Sequence, residues 1–177
     1  MQPEHHILTA TIEDAQPLCE LLTRCAKHMQ SQGMSHWIGV YDLDSVTQQI
    51  KTKSVYKLVL SEQIKACVAL SPIPAPYYAD CWPDAPMADW YLTMLAVMPD
   101  EQQSGFGSIL LNFAKQQLTG GETLQLDAVA HYPELLRFYR KHGFTQLTSG
   151  IGLGDRRYLF GWSLSPSPNR LNMKPVD

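Results

Sequence analysis

Apolar positions along this chain follow two spacings. One repeats every three to four residues, as on a helix face, and the other forms short runs of strand length. His6–Thr9 predicts a first strand. Thr11-Ile12-Glu13-Asp14 then resembles a capping box, with Asp in place of Glu or Gln. Leu18, Leu21, Leu22, Cys25 and Met29 mark one face of a helix that ends near Gly33. A loop carrying Trp37 and Tyr41 leads to a shorter helix, capped by Asp44 or Ser45 and running through Ile50. Val55–Leu60 and Ile64–Leu70 predict two strands joined by the hairpin Ser61-Glu62-Gln63. Leu92–Met98 is an almost unbroken apolar run, as expected of a strand covered on both faces, and Pro99-Asp100 stops it. Ile109, Leu110, Leu111, Phe113 and Ala114 continue at helical spacing to a stop at Thr119-Gly120-Gly121. Thr123–Val129 predicts a strand, Pro133–His142 a helix capped by Gly143, and Phe144–Thr148 and Arg157–Leu164 the last two strands. Gly150-Ile151-Gly152-Leu153-Gly154 mimics a nucleotide-binding loop. No helix follows it, so it is expected to be a flexible hairpin connection. The pattern predicts an α/β (α+β) fold with six to seven strands and about four helices.

Two segments fall outside this rhythm. Ser71–Asp89 holds five prolines (Pro72, Pro74, Pro76, Pro83, Pro86) with Tyr77, Tyr78, Trp82, Asp80, Asp84 and Asp89. So many prolines exclude a central strand, and the aromatics argue against disorder. The stretch is therefore a long connection into the strand at Trp90. It either packs its aromatics on the sheet or offers an aromatic, acidic wall to a cation. Residues 165–177 have few apolar positions and predict a loose tail, which leaves 1–164 as a single domain.

Composition narrows the class further. A chain of 177 residues with 45% hydrophobic and 18% charged content suits one globular domain. A net charge of −3 argues weakly against a nucleic-acid partner, which usually shows as a basic face. No apolar stretch approaches a membrane span, and MQPEHH does not read as a signal peptide. Cys19, Cys25, Cys67 and Cys81 have no CxxC spacing, so reduced, buried thiols in a cytoplasmic protein are expected. His5-His6 reads as a solvated terminus, and no metal site is expected.

The stretch with the most chemistry runs from Trp90 to Gly107. A helix that opens on small residues after a strand leaves several backbone N–H groups unpaired at the positive end of its dipole. Gly105 and Gly107 have no side chain to keep a phosphate away. There is no GxxxxGK[ST], and no GxGxxG followed by an acid about twenty residues on. By themselves the glycines serve equally to make a tight turn. Downstream, however, Leu126-Asp127 and Phe138-Tyr139-x-x-x-Gly143-Phe144 follow Leu95-Ala96-Val97-Met98-Pro99 and Gln102-x-x-Gly105-x-Gly107. This ordered set resembles the GNAT superfamily of N-acetyltransferases over roughly Leu92–Phe144.

The resemblance implies a mixed, mostly antiparallel sheet with acetyl-CoA as cosubstrate. It implies that Gln103, Ser104, Gly105, Phe106, Gly107 and Ser108 present N–H groups to the pyrophosphate, with Gln102 shaping the turn. Leu95, Ala96 and Val97 would pair with the pantetheine arm through main-chain groups and polarise the thioester carbonyl. Tyr139 stands at the family's tyrosine position, where its hydroxyl protonates the departing sulfur. Trp37 and Tyr41 either face the acceptor or plug their loop. The general base stays open among Asp127, Asp89, Glu62, His131 and an ordered water chain, and Asp127 is equally suited to bind a cation. One departure is Tyr132, seven residues before Tyr139, where the family often has an Asn that contacts the pantetheine. The implied function is transfer of acetyl to a primary amine of a small molecule or peptide by direct attack in a ternary complex. A catalytically silent acyl-CoA-binding module with a regulatory or scaffolding role is the alternative. A homodimer is also consistent with the family.

Overall fold

The computed structural model describes residues Glu4–Ser163. In chain order these form β1 (His5–Thr9), α1 (Ala15–Ser31), α2 (Leu43–Thr52), β2 (Ser54–Leu60), β3 (Gln63–Ser71), α3 (Tyr78–Cys81), β4 (Trp90–Val97), α4 (Phe106–Gln116), β5 (Thr123–Val129), α5 (Pro133–Lys141), β6 (Thr145–Gly152) and β7 (Asp155–Ser163). The seven strands make one open, mostly antiparallel sheet in the order β1-β2-β3-β4-β5-β7-β6. The predicted tail at 165–177 lies outside the described residues. The described residues divide into two compact units, one within 4–73 and 91–117, the other within 74–90 and 118–163.

In the first unit, α1 starts where the local signal placed it. The Asp14 carboxylate accepts from the Thr11 N–H at 2.8 Å and from its hydroxyl at 3.4 Å, closing the turn before the helix. Leu18, Leu21, Leu22 and Cys25 of α1 and Val46 of α2 pack on Val55, Cys67, Ala69, Met94 and Ala96 of β2–β4. Tyr56, next along β2, stacks edge-on against Phe113 of α4, its ring centre 4.9 Å away. Neighbouring strand residues point to opposite faces, so helices cover this sheet on both sides. That explains the buried run Ala66–Ser71 in β3. The N-cap of α2 is Asp42, not Asp44 or Ser45: its carboxylate accepts from the Ser45 N–H at 2.7 Å, and the helix runs on to Thr52.

In the second unit, β5 and β7 pair with Leu126 opposite Phe160 and Asp127 opposite Leu159. Leu124, Leu126, Leu159 and Phe160 are fully or almost fully buried. The Pro-rich connection contains one turn of helix, α3, which the residue pattern did not predict. Polar atoms hold the connection down: the buried Gln125 amide donates to the Pro86 carbonyl at 2.7 Å, and Asp89 accepts from the Thr123 N–H and hydroxyl at 2.8 and 2.9 Å. The 150–154 glycine stretch is corrected by the structure. Gly150 and Gly152 lie inside β6, and the connection is the two-residue turn Leu153-Gly154, at φ 52° and 83°. Gly150 is glycine because the end of α3 docks there: a Cβ would sit 2.4 Å from the Cys81 carbonyl oxygen.

Candidate active site

The first unit supplies a strand, a turn and a helix start. Opposite β3, Thr93 pairs with Ala69 and Ala96 with Cys67, so Met94 and Leu95 together face only Val68. Met94 takes φ 56°, a left-handed conformation rare outside glycine. These are the marks of a β-bulge, which removes a short backbone segment from the ladder. The bulge sits where the Leu95–Val97 main chain was expected to meet an acyl donor. Two thiols reach carbonyls of this strand: Cys67 donates to Met94 O, in the bulge, at 3.4 Å and Cys25 to Val97 O, just past it, at 3.2 Å.

After β4, Pro99–Glu101 makes a single 3-10 turn. The Gln102 amide reaches back to Val97 O in a long hydrogen bond of 3.5 Å, tying the turn to the strand end. The Ser104 N–H already donates to Glu101 O at 3.0 Å, so that donor is spent inside the turn. Gly105 then caps α4 at φ 86°, and a Cβ there would meet nothing within 4 Å. Its glycine is required by the backbone angle, and the space beside it is open. The first helical bond of α4 runs from Ile109 N–H to Gly105 O at 3.0 Å. By helix geometry, the N–H groups of Gly105, Phe106 and Gly107 have no acceptor within the helix. These groups fit a pyrophosphate: main-chain donors, a helix of eleven residues behind them, and no side chain on Gly105 or Gly107. Glu101 is the nearby acid, and Lys65 pairs with it at 3.3 Å.

Other groups of this unit occupy different roles. Trp37 and Tyr41 stack edge-on at 5.3 Å and pack half-buried on the core cluster that contains Met94 and Ala96. Glu62 sits exposed at the β2–β3 hairpin tip at φ 63°. Lys53, which the residue pattern did not single out, donates to the Thr93 hydroxyl at 3.2 Å, one residue before the bulge. Burial lowers its pKa.

In the second unit, Asp127 accepts three hydrogen bonds. Its Oδ1 accepts from the Tyr77 and Tyr78 hydroxyls, both at 2.8 Å, and its Oδ2 from Arg157 Nη1 at 2.9 Å. The Asp127 and Arg157 side chains are 7% and 9% exposed. Arg157 also donates through Nε to Gly152 O at 2.9 Å and lies over the Tyr77 ring. Burial works against its charge, but Asp127 outweighs burial and raises its pKa. Tyr78 is held well above the ordinary phenol value, first by burial and then by Asp127, so it keeps its proton and donates. Neither tyrosine was expected to meet Asp127. No local signal links residues about fifty positions apart.

Tyr139 is buried on α5 against Phe144 and Phe160, with ring centres at 5.9 Å. Burial, and after it the charge of Asp127, raises its pKa well above the ordinary phenol value. Its hydroxyl makes no hydrogen bond among the described residues. Tyr132 is the N-cap of α5 and supplies no side-chain cap, which an Asn would. Of the remaining base candidates, His131 is exposed and Asp89 is clasped by Thr123. Among the described residues no group of three or more His, Cys, Asp and Glu side chains is gathered for a metal ion. None of the described helices is long and apolar enough to cross a membrane.

Comparison with known proteins follows the same lines. The family model described as "Acetyltransferase (GNAT) domain" matches residues 52–146. An uncharacterized N-acetyltransferase, YesJ of Bacillus subtilis (strain 168), is 30% identical over 141 residues, 76% of this chain and 78% of that protein. A GNAT-family acetyltransferase structure from Listeria monocytogenes superposes with a TM-score of 0.76 at 18% identity, covering 92% of this chain and 96% of that one. The PaiA N-acetyltransferase of Thermoplasma acidophilum, solved in complex with coenzyme A, gives 0.68 at 16% identity, covering 91% and 99%. At these identities the structural likeness speaks for the fold.

Proposed function

This chain belongs to the GNAT acetyltransferase family, and on that premise we propose that it is an N-acetyltransferase. It moves an acetyl group from acetyl-CoA to a primary amine of a small molecule or peptide by direct attack in a ternary complex. The observation that carries the reading is the strand–turn–helix of the first unit. A bulge at Met94 takes Met94 and Leu95 out of the β3 ladder, and a left-handed Gly105 opens the α4 N-terminus a few residues later.

Bound acetyl-CoA supplies an acetyl thioester. The Gly105–Gly107 N–H groups and the α4 dipole hold its pyrophosphate. Main-chain N–H in the Leu95–Val97 segment donates to the carbonyl oxygen as negative charge develops there. Loss of one such donor typically costs about a hundredfold or more in rate. Tyr139 donates its phenolic proton toward the departing sulfur. A thiol has a pKa near 8.5, and Tyr139 stands above the ordinary phenol value of about 10. Complete transfer is therefore uphill by more than about 2 kcal/mol. The phenol acts first as a hydrogen-bond donor that stabilises the thiolate, and the proton released by the attacking nitrogen completes the exchange. Asp127 already accepts from Tyr77, Tyr78 and Arg157 and is less than a tenth exposed, and these partners hold it as a structural carboxylate, not as a base for a substrate amine. Its role in this reading is to hold the Pro-rich connection and to keep Tyr139 protonated, while the amine proton leaves through water.

The test is acetyl-CoA-dependent thiol release across an amine panel, in wild type and in Tyr139→Phe. The expected result is turnover with at least one amine and a loss of about a hundredfold in kcat in the variant, with acetyl-CoA binding kept. An unchanged kcat in Tyr139→Phe would remove the tyrosine from the mechanism. Binding without turnover on any amine would favour a catalytically silent acyl-CoA-binding module.

A further inference from the structure

We propose that Cys67 and Cys25 are positioning residues for the acyl-donor strand, their thiols fixing the Met94 bulge by holding the carbonyls of Met94 and Val97. The inference rests on the reading of Leu95–Val97 as the segment that pairs with acetyl-CoA.

A bulge that places a methionine at φ 56° is strained, and it survives only if its surroundings over-determine it. It also takes Met94 and Leu95 out of the β3–β4 ladder. A buried carbonyl left without a donor costs about 1–3 kcal/mol. Here the Met94 carbonyl receives a thiol from Cys67 at 3.4 Å, and the Val97 carbonyl, on the far side of Leu95–Ala96 where the strand is back in register with Ala66, receives Cys25 at 3.2 Å beside the long 3.5 Å bond from Gln102. The two donors come from different elements, β3 and α1, so the strand is held from two directions. Both cysteines are almost fully buried, at 0% and 3% exposure. Burial pushes the Cys25 thiol up to about 12 and the Cys67 thiol higher still, so each remains S–H, the form that donates. A serine at either place retains a donor of similar size. An alanine fills the core less well and donates nothing. Small size alone does not account for the pair, because both sulfurs point at carbonyls of one strand, and those carbonyls bracket the residues the reaction needs.

The experiment compares Cys67→Ala, Cys67→Ser, Cys25→Ala, Cys25→Ser and Val55→Ala with wild type. Val55 belongs to the same core cluster but has no polar contact with β4, so Val55→Ala controls for lost packing. Two readouts are taken: kcat and KM for acetyl-CoA, and hydrogen exchange of the Leu95 and Ala96 amides without ligand. Each alanine variant should lose about tenfold or more in kcat/KM, mostly in kcat, and its Leu95 and Ala96 amides should exchange faster. The serine variants should recover most of both. Val55→Ala should lose thermal stability but keep kcat/KM within about twofold. The proposal is overturned if the alanine variants match wild type in amide exchange, or if serine and alanine are equally impaired. Wild type that fails to bind acetyl-CoA would overturn the function reading alone, because the exchange comparison still reports on the bulge.

Discussion

Replacing Asp127 by alanine tests the buried cluster of the second unit. The carboxylate accepts three hydrogen bonds of 2.8–2.9 Å, two from phenols and one from a guanidinium. Hydrogen bonds to a charged group contribute about 1.5–3 kcal/mol each, and they do not add when they share one acceptor. Asp127 and Arg157 are each less than a tenth exposed, so solvent does little to replace a lost partner. Breaking a buried pair from one side costs about 3–5 kcal/mol, because the remaining charge stays desolvated. Asp127→Ala should therefore lose about 3–5 kcal/mol in urea unfolding at neutral pH, and Tyr78→Phe about 1.5–3 kcal/mol. In the Asp127→Ala background, Tyr78→Phe should cost no more than about 0.5 kcal/mol, since its acceptor is already gone. A loss below about 1 kcal/mol for Asp127→Ala, or an equal Tyr78→Phe cost in both backgrounds, would refute the cluster as described. An Asp127→Asn variant that kept full stability and lost the amine reaction would instead return Asp127 to the role of base.

Gly150→Ala should destabilise by about 1–3 kcal/mol in a thermal melt, because its methyl would meet the immovable Cys81 carbonyl, whereas Gly120→Ala meets open space and should stay within about 0.5 kcal/mol of wild type. Gly105→Ala places a side chain at φ 86° and should cost about 1 kcal/mol of stability while weakening acetyl-CoA binding about tenfold by calorimetry. Asp14 is slightly desolvated, but Lys57 at 2.6 Å and the Thr11 donors outweigh that and lower its pKa. The stability it contributes is present above its unfolded value of about 4 and is lost as pH falls through the lower folded value. Lys57→Met should remove about 1 kcal/mol at pH 7 in urea melts and flatten the acid limb below about pH 4.

The order of strands and main helices was legible because each element carries its own period. The Thr11–Asp14 cap and the helix stop at Gly121 are likewise local signals. The glycine turn at 105–107 was legible for the same reason, since φ 86° there demands glycine. The bulge was not. Met94 carries no mark of a left-handed residue, and what selects it is the register against β3 together with two thiols, one of them on α1 and 72 positions from the Val97 it meets. Asp127 stood out in the sequence as a carboxylate on the strand after α4, but its partners were not legible, because Tyr77 and Tyr78 reach it from a Pro-rich segment without periodicity. The 150–154 glycines misled for a related reason. They are spaced like a loop motif, yet two of them serve a close approach by α3 that only tertiary packing reveals.

The central claim is that the first unit binds an acyl-CoA through the Gly105 turn. Calorimetric titration of the full chain with acetyl-CoA and with CoA, at fixed salt, tests it most directly. Saturable binding of both ligands at one site per chain, weakened by Gly105→Ala, is the predicted result. Absence of heat at millimolar ligand, in protein shown to be folded, would contradict it.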